Sequence, residues 1–176
     1  MRHQFDSAGD ASYVVFNPWN FSINPVATLF NSSGRAISSE PNSLQPYGQH
    51  VFQFDNEVLS SGYVRIQSDY PVFGLEVLET ANSLAALGGF APQVQSRLFF
   101  PHFAVGGNYS TQVGIVNSGS NSTTVTLQIY DETGNLLGSR DSITVLARGQ
   151  LLESVNDLLG IAASDPIRTG YLVAIS

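Results

Sequence analysis

Three histidines, several short acidic segments and one tryptophan are the side chains of this sequence best suited to chemistry. A nucleophilic triad needs a serine, a histidine and an acid that converge in space. Serine is abundant here, but the sequence holds no Gly-x-Ser-x-Gly elbow and no other local catalytic signature. We therefore expect no catalytic residues and predict that the chain is not an enzyme.

The histidines, His3, His50 and His102, give no metal-ligand spacing. His3 and His102 occupy equivalent positions of an internal repeat, described below, so we expect them in separate domains rather than in one zinc site. His102 lies between Pro101 and Phe103, where a hydrogen-bonded structural role competes with a role as ligand. The chain has no cysteine, which excludes disulfides and thiolate metal sites. We predict no metal site.

The acidic segment Asp131-Glu-Thr-Gly-Asn135 offers oxygen ligands for calcium. Calcium takes about six to eight oxygens, and the segment lacks the Asp-x-Asp-x-Asp-Gly spacing of calcium loops. A hairpin turn accounts for the same residues, because Asp, Gly and Asn are turn formers. We predict no cofactor.

Trp19 lies in the predicted loop Asn17-Pro-Trp-Asn20. An indole ring can stack on the face of a sugar while the Asn17 and Asn20 amides fix its hydroxyls. The alternative is that Trp19 is a packing lid over the core. Trp19, Asn17 and Asn20 are the candidate ligand-binding residues.

Composition limits the partners. The 176 residues include seven Arg, no Lys and fourteen acidic residues, for a net charge of −7. No basic stripe is present to neutralise a phosphate backbone, so we expect no nucleic-acid partner. The longest apolar runs are far shorter than the roughly 20 residues of a membrane helix, so we expect no membrane span.

The elements that must position these residues are strands. Short segments rich in Val, Ile, Tyr and Phe are punctuated by Gly, Asn, Ser and Pro about every 8 to 12 residues, which is typical of an all-β sandwich. In one segment Val125, Leu127 and Ile129 alternate with polar residues, as a half-buried strand requires. The predicted strands span residues 12–17, 25–31, 49–54, 63–68, 72–79, 111–117, 122–131, 142–146, 150–155 and 171–175.

An internal repeat organises these strands. A shift of 100 residues, with small slips in loops, aligns the two halves of the chain. A period of this length indicates tandem copies of a whole domain, because solenoid and propeller units are much shorter. The matched positions are Asn17 with Asn117, Ser22 with Ser122, Gly34 with Gly134, Gly48-Gln49 with Gly149-Gln150, and Gly62-Tyr63 with Gly170-Tyr171.

We predict two domains, residues 1–90 and 91–176, joined through a connector within residues 81–97. The second copy has no counterpart of residues 69–79, so either the chain is a fragment or its second domain has a different last strand. In the first copy we expect Phe73, Leu75 and Val77 to face the core. An uncovered sheet edge in the second copy would pair in a homo-oligomer or be filled by the connector.

Several phrases resemble a repeat common in large secreted or surface proteins of environmental bacteria. The resemblance rests on Phe99-Phe-Pro-His-Phe103, Thr111-Gln-Val-Gly-Ile-Val-Asn117 and Tyr130-Asp-Glu-Thr-Gly134, and on the closing phrase Gly62-Tyr-Val-Arg-Ile-Gln-Ser-Asp-Tyr-Pro-Val-Phe-Gly74. It covers nearly the whole chain in two copies. It implies tandem immunoglobulin-like antiparallel β-sandwiches with no established enzymatic activity.

These observations predict a non-catalytic spacer or adhesive module of a bacterial extracellular or cell-surface protein. The alternative is a carbohydrate-binding module that uses loop aromatics such as Trp19. The expected partners are a surface glycan or another protein. The low charged fraction, 12% against the roughly 25% of ordinary domains, suits a protein that works outside the cell.

Overall fold

The computed structural model describes residues 2–3, 9–54, 61–80, 83–89 and 95–176. Over these residues the chain is mostly β, and its strands pair in antiparallel sheets. The prediction of an all-β fold is confirmed. The chain divides into two compact units, Met1–Pro92 (unit 1) and Gln93–Ser176 (unit 2). That residues 1–90 and 91–176 are separate domains stays a prediction.

The described part of unit 1 forms two four-stranded sheets. One has the order β1-β6-β3-β4 and the other β5-β2-β7-β8. The strands are β1 (Arg2–His3), β2 (Gly9–Phe16), β3 (Val26–Asn31), β4 (Ala36–Pro41), β5 (Gln49–Gln53), β6 (Gly62–Gln67), β7 (Phe73–Thr80) and β8 (Ser83–Gly88).

The described part of unit 2, residues 95–176, forms a four-stranded sheet of order β12-β11-β14-β9 and a two-stranded sheet β10-β13. Helix α1 is a single turn between β13 and β14. The Ser154 side chain caps it by accepting from the Asp157 N–H, and Gly160 ends it at φ 63°. The elements are β9 (Arg97–Val105), β10 (Gln112–Val116), β11 (Thr123–Asp131), β12 (Leu136–Val145), β13 (Gln150–Ser154), α1 (Val155–Leu159) and β14 (Arg168–Ile175).

Each unit buries one apolar core between its two sheets. In unit 1, Tyr13 and Phe52 from one sheet pack in the same cluster as Leu29 and Val64 from the other. In unit 2 the core takes residues from both sheets in the same way. The alternation predicted for β11 is confirmed, because its three alternate apolar residues, Val125, Leu127 and Ile129, are all buried. Both units are therefore sandwich-like.

The four-stranded sheet of unit 2 has the strand order of the β1-β6-β3-β4 sheet of unit 1, and the β10-β13 pair matches β2-β5. Phe30 pairs with Tyr63 across β3 and β6, and Tyr130 pairs with Tyr171 across β11 and β14. Phe16 pairs with Gln49, as Val116 pairs with Gln150. The register also shifts at the same place in both units, between Leu29 and Phe30 where β3 pairs with β4 and between Ile129 and Tyr130 where β11 pairs with β12. These correspondences follow the 100-residue shift seen in the sequence; that the chain is a tandem repeat stays a prediction.

The register corrects the predicted equivalence of two histidines. His3 pairs with Gly62, and Phe103 pairs with Gly170. His3 therefore corresponds to Phe103, and His102 lies one position away.

The predicted facing of β7 is wrong. Phe73 and Leu75 are exposed by 69% and 38%, whereas Glu76 is fully buried. The cause is the register of β7 against β2, in which Glu76 lies directly opposite the inward-facing Tyr13. Residues directly opposite one another share a face of the sheet, so Glu76 enters the core. Carboxylates usually lie outside, so the alternation of β7 in the sequence predicted the opposite facing.

Part of the predicted connector is a strand. Residues 83–88 form β8, which pairs with β7 in unit 1, so they do not fill the second sheet of unit 2. Residues 90–94 lie outside the described residues. Among the residues that the structure describes, β10 pairs with β13 alone.

Candidate functional site

Asn17 organises one end of unit 1. It follows the last residue of β2, is fully buried, and its backbone N–H donates to the Gly48 carbonyl over 2.9 Å. Its Nδ2 donates to the carbonyls of Phe21 and Gln45 over 2.8 and 2.9 Å. Its Oδ1 accepts from the Trp19 N–H at 3.0 Å. One carboxamide thus holds the loop after β2 against the loop between β4 and β5.

Three aromatic rings lie on the surface of this end, and we call Trp19, Phe21 and Tyr70 the aromatic cluster. Their exposed fractions are 36%, 38% and 48%. Trp19 stacks on Phe21 with ring centroids 5.8 Å apart, and Tyr70 meets Phe21 edge-on at 4.8 Å. The Trp19 Nε1 donates to the Pro71 carbonyl over 2.9 Å, which ties the cluster to the segment between β6 and β7. The indole nitrogen is thereby used within the protein, and the exposed ring surface is what a partner would meet.

The three residues predicted from sequence have different places in this arrangement. Trp19 is a half-exposed member of the aromatic cluster, and Asn20 is exposed beside it. Asn17 is buried, with its amide engaged by backbone groups of the loops. Sequence reasoning missed Phe21 and Tyr70. The available signal for Tyr70 was its position before Pro71 in a polar segment between two predicted strands, where a large aromatic residue has no core to enter.

Unit 2 has the same set of asparagine hydrogen bonds between its loops, but without the aromatic rings. Asn117 donates to the Asn121 and Leu146 carbonyls over 2.8 and 3.0 Å and accepts from the Gly119 N–H at 3.0 Å. The 100-residue shift places Gly119 at the position of Trp19 and Asn121 at that of Phe21. The scaffold of the loops is therefore common to both units, and the aromatic surface belongs to unit 1.

The buried acid of unit 1 forms a pair within the core. Tyr13 on β2 and Glu76 on β7 lie directly opposite each other, and both side chains are buried. Burial and, after it, the negative charge of Glu76 raise the pKa of Tyr13 far above its usual range. Tyr13 is part of the core cluster of unit 1, so Glu76 directs a carboxylate into that core.

The acidic segment of unit 2 is the turn between β11 and β12. Asp131 Oδ1 accepts from the N–H groups of Thr133 and Asn135 at 2.9 and 2.8 Å, and Oδ2 accepts from Asn135 Nδ2 at 2.9 Å. These bonds, led by those from Asn135, lower the pKa of Asp131 to about 2. The carboxylate therefore stabilises the turn, as the hairpin interpretation of this segment predicts.

No metal-binding group of three or more His, Asp or Glu side chains occurs among the residues that the structure describes. His50 Nε2 lies 3.2 Å from Asn42 Nδ2, and its ring meets Phe52 edge-on. His102 is exposed. Within the described ranges, no helix has the length and apolar character to cross a membrane.

Comparison with known proteins adds no relative. No family model matches the chain, and neither the curated proteins nor the solved structures yield a significant match.

Proposed function

We propose that the chain is a non-catalytic module of two tandem immunoglobulin-like sandwiches that acts in adhesion and spacing outside the cell. The common strand order and register of the two units support the duplication. The hydrogen bonds of Asn17 and Asn117 support the duplication further, because the two asparagines hold equivalent loops with equivalent bonds.

The aromatic cluster is the observation that carries the adhesive part of the proposal. Trp19, Phe21 and Tyr70 present three adjacent rings at one end of unit 1, where a folded protein gains nothing from exposing them. Aromatic residues are enriched among those that dominate binding energy, because they bring large rigid apolar area at low entropic cost. The hydrogen bond from Trp19 to Pro71 fixes the ring before any partner arrives.

The outer face of the adjoining sheet extends the apolar surface of unit 1. Phe73 and Leu75 on β7 and Val51 on β5 are exposed by 69%, 38% and 42%. Val14 joins them, because it pairs with Val51 on one side and with Leu75 on the other. A contiguous exposed apolar face on a sheet is a common mark of an interaction surface.

A panel of immobilised polysaccharides, proteins and apolar particles tests the adhesive function. The intact chain should bind at least one member, and Trp19→Ala should weaken that binding by about tenfold, the effect of losing roughly 1.4 kcal/mol. Tyr109→Ala is the matched control, because Tyr109 is an exposed aromatic of unit 2, 57% exposed. Far-UV circular dichroism checks that both variants are folded.

Carbohydrate binding is the second candidate, favoured by the flat, half-exposed Trp19 ring with Asn20 beside it. Soluble oligosaccharide should then compete with the immobilised partner, which it would not do for an apolar or protein surface. Binding that is equal for the intact chain and Trp19→Ala would contradict both candidates. A chain that binds nothing would leave spacing as its function.

A further inference from the structure

Glu76 places a carboxyl group inside the core of unit 1. The residue is fully buried, whereas Phe73 and Leu75 on the same strand are exposed on the outer face of the sheet. It lies directly opposite Tyr13, which is also fully buried and belongs to the apolar core cluster. An ionised carboxylate loses its hydration in such surroundings, so burial favours the neutral, protonated acid.

Few charged groups face this carboxyl among the described side chains. Besides Tyr13, the strands place two titratable residues on the inward side, His50 on β5 and Glu40 on β4, and both are partly exposed. Arg65 on β6 is exposed, and the residue paired with the carboxyl on β8, Leu87, is uncharged. No basic side chain is fully buried in the part of unit 1 that the structure describes. The core around the carboxyl is therefore mainly apolar.

Strand β7 connects this carboxyl to the aromatic cluster. The strand begins at Phe73, two residues after Pro71. The Pro71 carbonyl accepts from the Trp19 Nε1 over 2.9 Å, and the Tyr70 ring lies 6.0 Å from the Trp19 ring, centroid to centroid. A movement of β7 away from β2 would therefore displace both groups that hold Trp19 from this side.

We propose that Glu76 makes unit 1 a pH-sensitive switch, in which the neutral acid keeps β7 packed in the core and the carboxylate anion loosens it. As pH rises, the carboxyl releases its proton to water and leaves a negative charge among apolar side chains. Movement of β7 away from β2 lets water reach that charge and breaks the bond between Trp19 and Pro71. The switch stands without the adhesive role, and only its consequence, adhesion that is stronger at acidic pH, rests on the proposed function.

The direction of the pH dependence follows from proton linkage. A glutamate in the unfolded chain has a pKa of about 4.3. A folded state that keeps the proton above that pH loses stability as pH rises, until the folded carboxyl ionises in turn. Within this window the equilibrium constant for unfolding of unit 1 should rise about tenfold per pH unit because of Glu76. Below about pH 4 the contribution of Glu76 is fully present and constant.

Urea unfolding of the full 176-residue chain between about pH 4 and pH 9, followed by Trp19 fluorescence, measures this slope. Glu76→Gln has nearly the shape of the neutral acid but no proton to release, so the tenfold rise per pH unit should disappear. Glu40→Gln and His50→Gln are the matched controls, because they remove the partly exposed titratable groups on the same inward side, and both should keep the rise. Equal slopes for the intact chain and Glu76→Gln would overturn the proposal.

Two NMR measurements on the intact chain test the switch even where Glu76→Gln fails to fold. The assigned Glu76 carboxyl carbon should titrate at a higher pH than that of Glu40. The Trp19 indole N–H should lose protection against exchange over the pH range in which Glu76 ionises. A Glu76 midpoint at or below about 4.3, or indole protection that is the same before and after Glu76 ionises, would overturn the proposal. Both measurements use the free chain, so a failure to bind any partner counts against the proposed function alone.

Discussion

Replacing Asn17 with alanine should destabilise unit 1 by about 3 kcal/mol, because three well-formed hydrogen bonds are lost at about 1 kcal/mol each. Those bonds join the Asn17 carboxamide to the backbone of Phe21, Gln45 and Trp19, and the side chain is fully buried. The partner groups would stay partly buried without a substitute. Asn17→Asp should cost at least as much, since it exchanges the donating Nδ2 for an oxygen that faces two carbonyls.

Asn117→Ala is the internal comparison. Asn117 makes the same set of bonds in unit 2, but most of them are solvent-exposed. Water can replace the lost amide there, so we expect a loss of only about 1 kcal/mol. Asn20, which is exposed in the same loop as Asn17, offers a surface control. Asn20→Ala should change stability by less than about 0.5 kcal/mol.

Urea unfolding followed by tryptophan fluorescence measures the loss of stability in unit 1. The chain has one tryptophan, Trp19, and it lies on the loop that Asn17 holds, so its emission reports unit 1. Far-UV circular dichroism follows both units. A loss of stability below about 1 kcal/mol for Asn17→Ala, or equal losses for Asn17→Ala and Asn117→Ala, would refute this reasoning. Burial of the asparagine hydrogen bonds would then not determine how much they stabilise the unit.

Three further measurements test the account at other sites. Tyr63→Ala should lower the free energy of unfolding by about 3 to 5 kcal/mol, as for a core aromatic, because Tyr63 is only 5% exposed. Tyr171→Ala should lower it clearly less, because Tyr171 is only half-buried. Similar losses for the two variants in urea titrations would contradict this. The raised pKa of Tyr13 means that the unfolded chain releases its proton first as pH rises past about 10, so stability should fall by up to about 1.4 kcal/mol per pH unit there. Tyr13→Phe should flatten that slope, and equal slopes would show that Tyr13 is not the cause. By NMR the Asp131 carboxyl should titrate near pH 2, so its contribution to the turn is present above its unfolded pKa and lost as pH falls through 2. A midpoint near the usual value of about 3.9 would mean that the turn bonds are absent in solution.

Sequence patterns located the strands with clear alternation, because a half-buried strand writes its period directly into the sequence. They missed β4, Ala36–Pro41, half of whose residues are polar and which lies at a sheet edge where one neighbour suffices. They also missed β9, Arg97–Val105, and β8, whose Ala and Gly content resembles a connector. Its partner on the sheet, β7, is what makes residues 83–88 a strand.

The candidate site was only partly predictable for a related reason. Trp19 stood out as a loop aromatic, but Phe21 and Tyr70 join it through contacts that only the fold creates. Asn17 was predicted as a ligand contact from its residue type, whereas its burial depends on where the loop between β4 and β5 lies. The repeat was the most informative signal, because it placed Asn17 and Asn117 at equivalent positions before any contact was known.

An experimental structure of the chain tests the central claim, that two copies of one sandwich fold stand in tandem, most directly. We expect the units to superpose with Asn17 on Asn117, Gly48 on Gly149 and Tyr63 on Tyr171. Each asparagine should hold the backbone of the two loops next to it. Different strand orders in the two units, or an Asn117 side chain directed into solvent, would contradict it.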